Sequence, residues 1–159
     1  KDDEEGWERL REVAPFFQPY TETEGAGISE ENPVDIFAYR YPVLTVRADM
    51  DEDAVYHYIK ALDDTYGMYK DATAVMARWD LEEAGTPPID VPFHPGAIRY
   101  LEEKGIWTEE HQAWNDQRLA RLNALRDAWK EATAEGEGKS DEEFAEIWDA
   151  HRTQALESL

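Results

Sequence analysis

Tyr39, Arg40, Tyr41 and Pro42 stand in a row, a guanidinium between two aromatic rings. Such a grouping suits a carboxylate, because the planar fork of an arginine donates two parallel hydrogen bonds. The plainer alternative for Arg40 is an exposed strand residue. Asp49, Asp51 and Asp53 in "DMDED" are spaced like the first three ligands of a calcium loop. An EF-hand needs glycine at its sixth position and glutamate at its twelfth, and Ala54 and Lys60 stand there. The stretch is therefore read as the solvated start of a helix. His57, His94, His111 and His151 form no H-E-x-x-H and no close pair. G-x-S-x-G, Walker and G-x-G-x-x-G motifs are absent. With 37 acidic side chains, some carboxylates must lie close together by number alone, so an acid–base pair carries no information unless one member is buried.

The formal net charge is -21, from those 37 acidic and only 16 basic residues. This surface repels phosphates and anionic lipid, which sets aside nucleic acid and membrane surfaces as partners. Apolar residues make up 42% of the 159, and aromatics 12%, enough for a globular core. Screening by salt would offset the self-repulsion, and a halophilic or marine source fits. There is no cysteine, hence no disulfide or thiolate chemistry. No run approaches a membrane span, and "KDDEEGWERL" is no signal peptide.

The elements that would position these residues follow from periodicity. Residues 4–14 read as a short acidic helix with Trp7 and Leu10 on one side, ended by Pro15 and Pro19. "TETEGAGISEENP" reads as a loop. Residues 34–48, rich in Val, Ile, Tyr and Phe, read as one or two strands interrupted at Pro42. Their one clear partner is "IDVPF" at 89–93. Val55, Ile59, Leu62 and Tyr66 recur at helical spacing, and a second helix is expected over 69–83. In "VPFHPGAIRYLEEKG", His94 suits an N-cap, Pro95 a first helical turn and Gly105 a C-terminal cap, so residues 95–104 read as a helix. His94 is read as structural, with a catalytic or ligand role as the alternative.

A long helix is expected from Thr108 to about Ala134, with His111, Trp114, Leu122, Leu125 and Trp129 near one face. "EGEGK" breaks it. Ser140 and Glu143 form a capping box before a last helix carrying Phe144, Ile147, Trp148, His151 and Ala155. The tryptophans read as packing, a binding platform being the alternative. Three regions result: an acidic helix, loop and strand region over 1–48, helices and the H-P-G-A segment over 49–106, and a helical tail over 107–159.

"DVPFHPGAIRYLEEKGIW" resembles the "plHPGAirYykEkG" signature of the TAXI family, the extracytoplasmic solute receptors of TRAP transporters. "YPVLTVRADMDEDAVYHYIKAL" is similar to that family's strand, acidic turn and "vYkitkaL" helix, through Val55, Tyr56, Ile59 and Leu62. "WTEEHQAWNDQRLARLNALRDAW" and "FAEIWDAHRTQAL" resemble the extended tail of one subgroup. The resemblance runs from about residue 13 to the end. It implies an α/β, two-lobed, periplasmic-binding-protein-like fold closing on a small anionic solute. This chain would be its C-terminal portion, mainly helical with a few short strands. "GAGISEENPVDIF" departs from the family's "GtYpGq", so no ligand contact carries over there. His94, Pro95, Gly96 and Gly105 become structural residues of a helix packed on the first lobe.

The resulting expectation is a periplasmic or extracellular solute-binding component that takes up a small organic anion through Tyr39, Arg40 and Tyr41. It needs no cofactor or metal and catalyses nothing. Its partners would be TRAP membrane subunits and the receptor's N-terminal half or another subunit, met through 34–48 and the apolar side of 108–155. The rivals are a helical module docking on a partner chain and a carboxylate-based hydrolase using His94.

If self-repulsion dominates this surface, the melting temperature should rise from dilute buffer to molar KCl. A melting temperature that stays level or falls would count against the charge argument.

Overall fold

Asp3 accepts the Gly6 amide at 2.9 Å, which caps helix α1 (Glu4–Val13). The computed structural model describes residues 2–40 and 43–159. Two strands follow, β1 (Gln18–Glu22) and β2 (Val34–Ala38), then α2 (Glu52–Tyr69), a 3-10 helix (Ala74–Trp79) and α3 (Leu81–Ala84). The chain ends with α4 (Pro95–Glu103), α5 (Glu109–Glu135) and α6 (Asp141–Glu157). It divides into two compact units, residues 1–112 and 113–159.

The sheet differs from the expectation. β2 pairs antiparallel with β1, Tyr20 facing Ile36 and Pro19 facing Phe37, and not with 89–93, which forms no strand. Beyond Ala38, the described residues of 39–48 are not strand either. The five residues of β1 include Pro19, which a two-stranded sheet tolerates because each strand keeps a free edge. Glu22 fastens β1 to the 3-10 helix by a bidentate pair with Arg78, at 2.6 and 3.1 Å. That guanidinium, with the Glu24 and Thr23 amides, pulls the Glu22 carboxyl down to about 2.

The helix expected over 69–83 is replaced by the last residue of α2 and two short pieces. Thr73 and Asp80 adopt extended conformations, and Asp80 caps α3 by accepting the Glu82 amide. The Tyr66 hydroxyl donates to the Ala77 carbonyl at 3.1 Å, tying the 3-10 helix back to α2.

The core of the first unit is the crossing of α2 and α4. Asp51 caps α2 through the Ala54 amide. His94 caps α4 by accepting the Gly96 amide on Nδ1 at 3.1 Å, with Pro95 at the first helical position. A Cβ at Gly96 would lie 2.3 Å from the Glu52 carbonyl oxygen and 3.0 Å from the Tyr56 nitrogen, so the two backbones meet there directly. This approach puts Val55, Tyr100 and Leu101 inside. Full burial of a side chain such as Leu101 contributes about 1.5–3 kcal/mol.

Polar bonds frame that core. The Tyr100 hydroxyl donates to Asp63 at 2.7 Å, and Lys104 reaches the same oxygen at 2.9 Å. Burial pushes the Asp63 carboxyl up, but these two partners outweigh it and hold it below the usual range. Arg99 pairs with Asp53 at 2.8 Å and lies 4.1 Å over the Tyr56 ring. The Tyr56 hydroxyl bonds Glu103. The helix ends in a Schellman motif: Gly105, at φ 72°, donates to Glu102 and Ile106 donates to Leu101.

In the second unit, the residues buried on α5 are Asn115, Ala128 and Ala132. The expected large apolar face is only partly covered. Leu122 and Trp129 are exposed, Trp129 by 46%, although its ring meets Phe144 and Trp148 at 5.4 and 5.0 Å. Two helices can cover an alanine completely and an indole only in part. Ser140 and Glu143 exchange both bonds of a capping box at the start of α6.

Gly96→Ala should force α4 away from α2 and lower stability by about 1–3 kcal/mol, the usual cost of overpacking. An unchanged denaturation midpoint would mean the helices separate freely. His94→Asn should be mild, whereas His94→Leu should cost about 0.5–2 kcal/mol through loss of the cap. Equal midpoints for the two variants in urea would remove the capping role.

Candidate functional site

Arg40 follows β2 by one residue past Tyr39, where pairing with β1 has ended. Its backbone is therefore released from the ladder while its direction is still set by the hairpin. The side chain is half-buried, and Nη2 donates to Thr86 Oγ1 at 3.2 Å. Thr86 lies just past α3 and is 46 residues away in sequence. Its hydroxyl is also within reach of the Glu82 and Glu83 carbonyls, at 3.4 and 3.5 Å. Desolvation lowers the pKa of the Arg40 guanidinium, and the charge of Glu83 opposes that shift.

Among the described residues Arg40 has no carboxylate within ion-pair distance. The contrast with its neighbours is chemical. Arg47 pairs with Asp49, Arg78 with Glu22, and Arg99 with Glu52 and Asp53. In a chain of net charge -21, this half-buried guanidinium has a neutral hydroxyl as its hydrogen-bond partner among the described residues.

The other residues expected at the site are placed differently. Tyr39 is 55% exposed, and its ring meets Phe17 edge-on at 5.7 Å and Phe16 at 6.3 Å. Phe17 also packs on Phe37 at 5.1 Å, so Tyr39 belongs to an aromatic cluster flanking β2. Tyr41 lies outside the described residues. His94, Pro95, Gly96 and Gly105 sit at the two ends of α4, engaged in caps and in the crossing with α2. Of the three calcium-like aspartates, Asp49 pairs with Arg47, Asp51 caps α2 and Asp53 pairs with Arg99.

A groove of about 350 Å³ runs between α1 and β2, lined by Asp3, Trp7, Leu10, Asp35, Ile36 and Phe37. Two carboxylates on its wall make it unsuited to an anion, and Arg40 is not among its lining residues. The cationic centre and the groove are thus separate features.

Thr86 was not legible as a site residue. "GTPP" reads as an extended linker, and no spacing connects it to "YRYP". A threonine becomes a partner of Arg40 only once α3 returns the chain toward the end of β2.

No described helix is long and apolar enough to cross a membrane. No curated protein and no solved structure matches the chain. A model of the NMT1-like family matches residues 2–105, which include β1, β2, Arg40, Thr86 and the whole α2–α4 crossing. The chain therefore belongs to the NMT1-like family, a family of periplasmic solute-binding proteins.

Proposed function

We propose that this chain is the solute-binding component, or the C-terminal portion of one, of a TRAP-type uptake system of the TAXI kind. It binds a small organic anion and carries out no reaction. The observation that carries the anion reading is Arg40: half-buried, without a carboxylate partner among the described residues, in a chain whose other charges are overwhelmingly negative. Partial desolvation of a guanidinium costs free energy that an opposite charge bound to it would offset. A carboxylate ligand would do so with charge-assisted hydrogen bonds.

In this reading the chain contributes to a two-lobed α/β receptor. Ligand binding shifts an open–closed equilibrium by contacting both lobes, since a ligand moves such an equilibrium only through its differential affinity for the two states. Arg40 supplies the charge. Tyr39 and Tyr41 are its sequence neighbours expected to contact the solute. The closed form is presented to the TRAP membrane subunits on the periplasmic or extracellular face. The remaining lobe comes from the receptor's N-terminal half or from another subunit.

A second reading, a module that docks on a partner chain, draws on the exposed Leu119, Leu122 and Trp129 of α5. The two separate cheaply. Docking makes association concentration-dependent without small ligands, whereas solute binding raises the melting temperature with ligand at fixed protein concentration.

Small carboxylates should raise the melting temperature of the wild-type protein, and Arg40→Ala should abolish that rise while remaining folded. Loss of one charge-assisted pair corresponds to about 1.5–3 kcal/mol, or roughly ten- to a hundredfold in affinity. An Arg40→Ala protein with wild-type affinity would remove Arg40 from the site.

A further inference from the structure

A guanidinium carries five N–H donors arranged as two forks, and the two forks share Nη2. One fork pairs Nη2 with Nε, the other pairs Nη2 with Nη1. In this chain Nη2 of Arg40 already donates to Thr86 Oγ1 at 3.2 Å. That bond occupies one hydrogen of the shared nitrogen and so closes one fork. Among the described residues the second fork keeps both of its hydrogens. Arg40 can therefore accept one carboxylate in bidentate fashion, and a second carboxylate would find no complete fork.

Thr86 is itself held. Its Oγ1 lies 3.4 Å from the Glu82 carbonyl and 3.5 Å from the Glu83 carbonyl, long contacts that favour turning its proton to the end of α3 and leaving a lone pair for Arg40. Those carbonyls belong to the last turn of a short helix and have no intrahelical donor of their own. The hydroxyl thus connects two needs: it satisfies a helix end and orients the guanidinium. A valine has the same shape and neither function.

Glu83 adds the charge argument. It is exposed and close enough to interact electrostatically with Arg40, without a direct ion pair among the described residues. A singly charged carboxylate neutralises Arg40. The second charge of a dicarboxylate would face Glu83 and a surface of net charge -21 with no remaining fork to meet it.

We infer that Thr86 is the positioning residue of the Arg40 site and that the pair, with Glu83 beside it, selects small monocarboxylates over dicarboxylates. This rests on the anion-binding reading above.

The test uses the full chain and titration calorimetry at fixed ionic strength. The probes are acetate, propionate and pyruvate, against malonate and succinate. Monocarboxylates are expected to bind more tightly than the dicarboxylates. Thr86→Val should weaken them by about tenfold, the value of one hydrogen bond to a charged group, and Thr86→Ser should restore them. Circular dichroism of each variant establishes that it is folded. If Arg40→Ala loses binding while folded Thr86→Val keeps wild-type affinity, the positioning role is overturned and the solute-binding reading stands. Tighter binding of succinate or malonate overturns the selectivity. If none of the probes binds the wild-type protein, the anion reading fails, and this inference fails with it.

Discussion

The first unit depends on one close approach: the backbone of α4 at Gly96 against the first turn of α2. With no side chain between them, the helices come near enough for Tyr100 to reach Asp63 and for Arg99 to lie over Tyr56. Both residues come from the middle of α4, so a displacement at its N-terminus would move them together. The His94 cap and Pro95 set where α4 begins, and hence that Gly96 is the residue at the contact. The H-P-G run is consequently a joint. His94 accepts an amide, Pro95 presets φ, and Gly96 gives room.

The same crossing shows how so acidic a chain stays compact. Several of its cations are paired with carboxylates. Arg99 faces Glu52 and Asp53, Lys104 faces Asp63, and Arg78 faces Glu22. Exposed pairs of this kind add little to stability. Their role is to relieve local repulsion between carboxylates, at the acidic start of α2 in the case of Arg99, more than to add stability. Against this pattern Arg40 stands apart, with a threonine as its partner and a carboxylate only at a distance.

The second unit lies beyond residues 2–105 that match the family model and is organised by other means. Buried alanines on α5, edge-on contacts of Trp129 with Phe144 and Trp148, and a capping box replace the backbone contact of the first unit. His151 on α6 approaches Glu135 at 2.8 Å and Glu131 at 3.6 Å, which joins the helices at the surface. Large aromatic side chains fill the space between two helices without being fully covered by them, which is why Trp129 remains partly open to solvent.

Local chemistry was written in the sequence by itself. Caps, helix periodicity, the breaking "EGEGK" and the positive-φ glycine after α4 depend on residues within a few positions of one another, so spacing reveals them. Membership among solute-binding proteins was legible through the H-P-G-A segment for the same reason. Pairing decisions were not. Pairing of β2 with β1 closes only the loop over 23–33, at lower entropic cost than the much longer span to 89–93, and a proline is tolerated at a free edge. The split of 69–83 came from Asp80 leaving the helical region to cap α3. The environment of Arg40 was decided last of all. Whether a guanidinium is an exposed strand residue or a half-buried donor depends on what the fold lays beside it. Here that was Thr86, brought from a segment whose sequence shows no relation to Arg40.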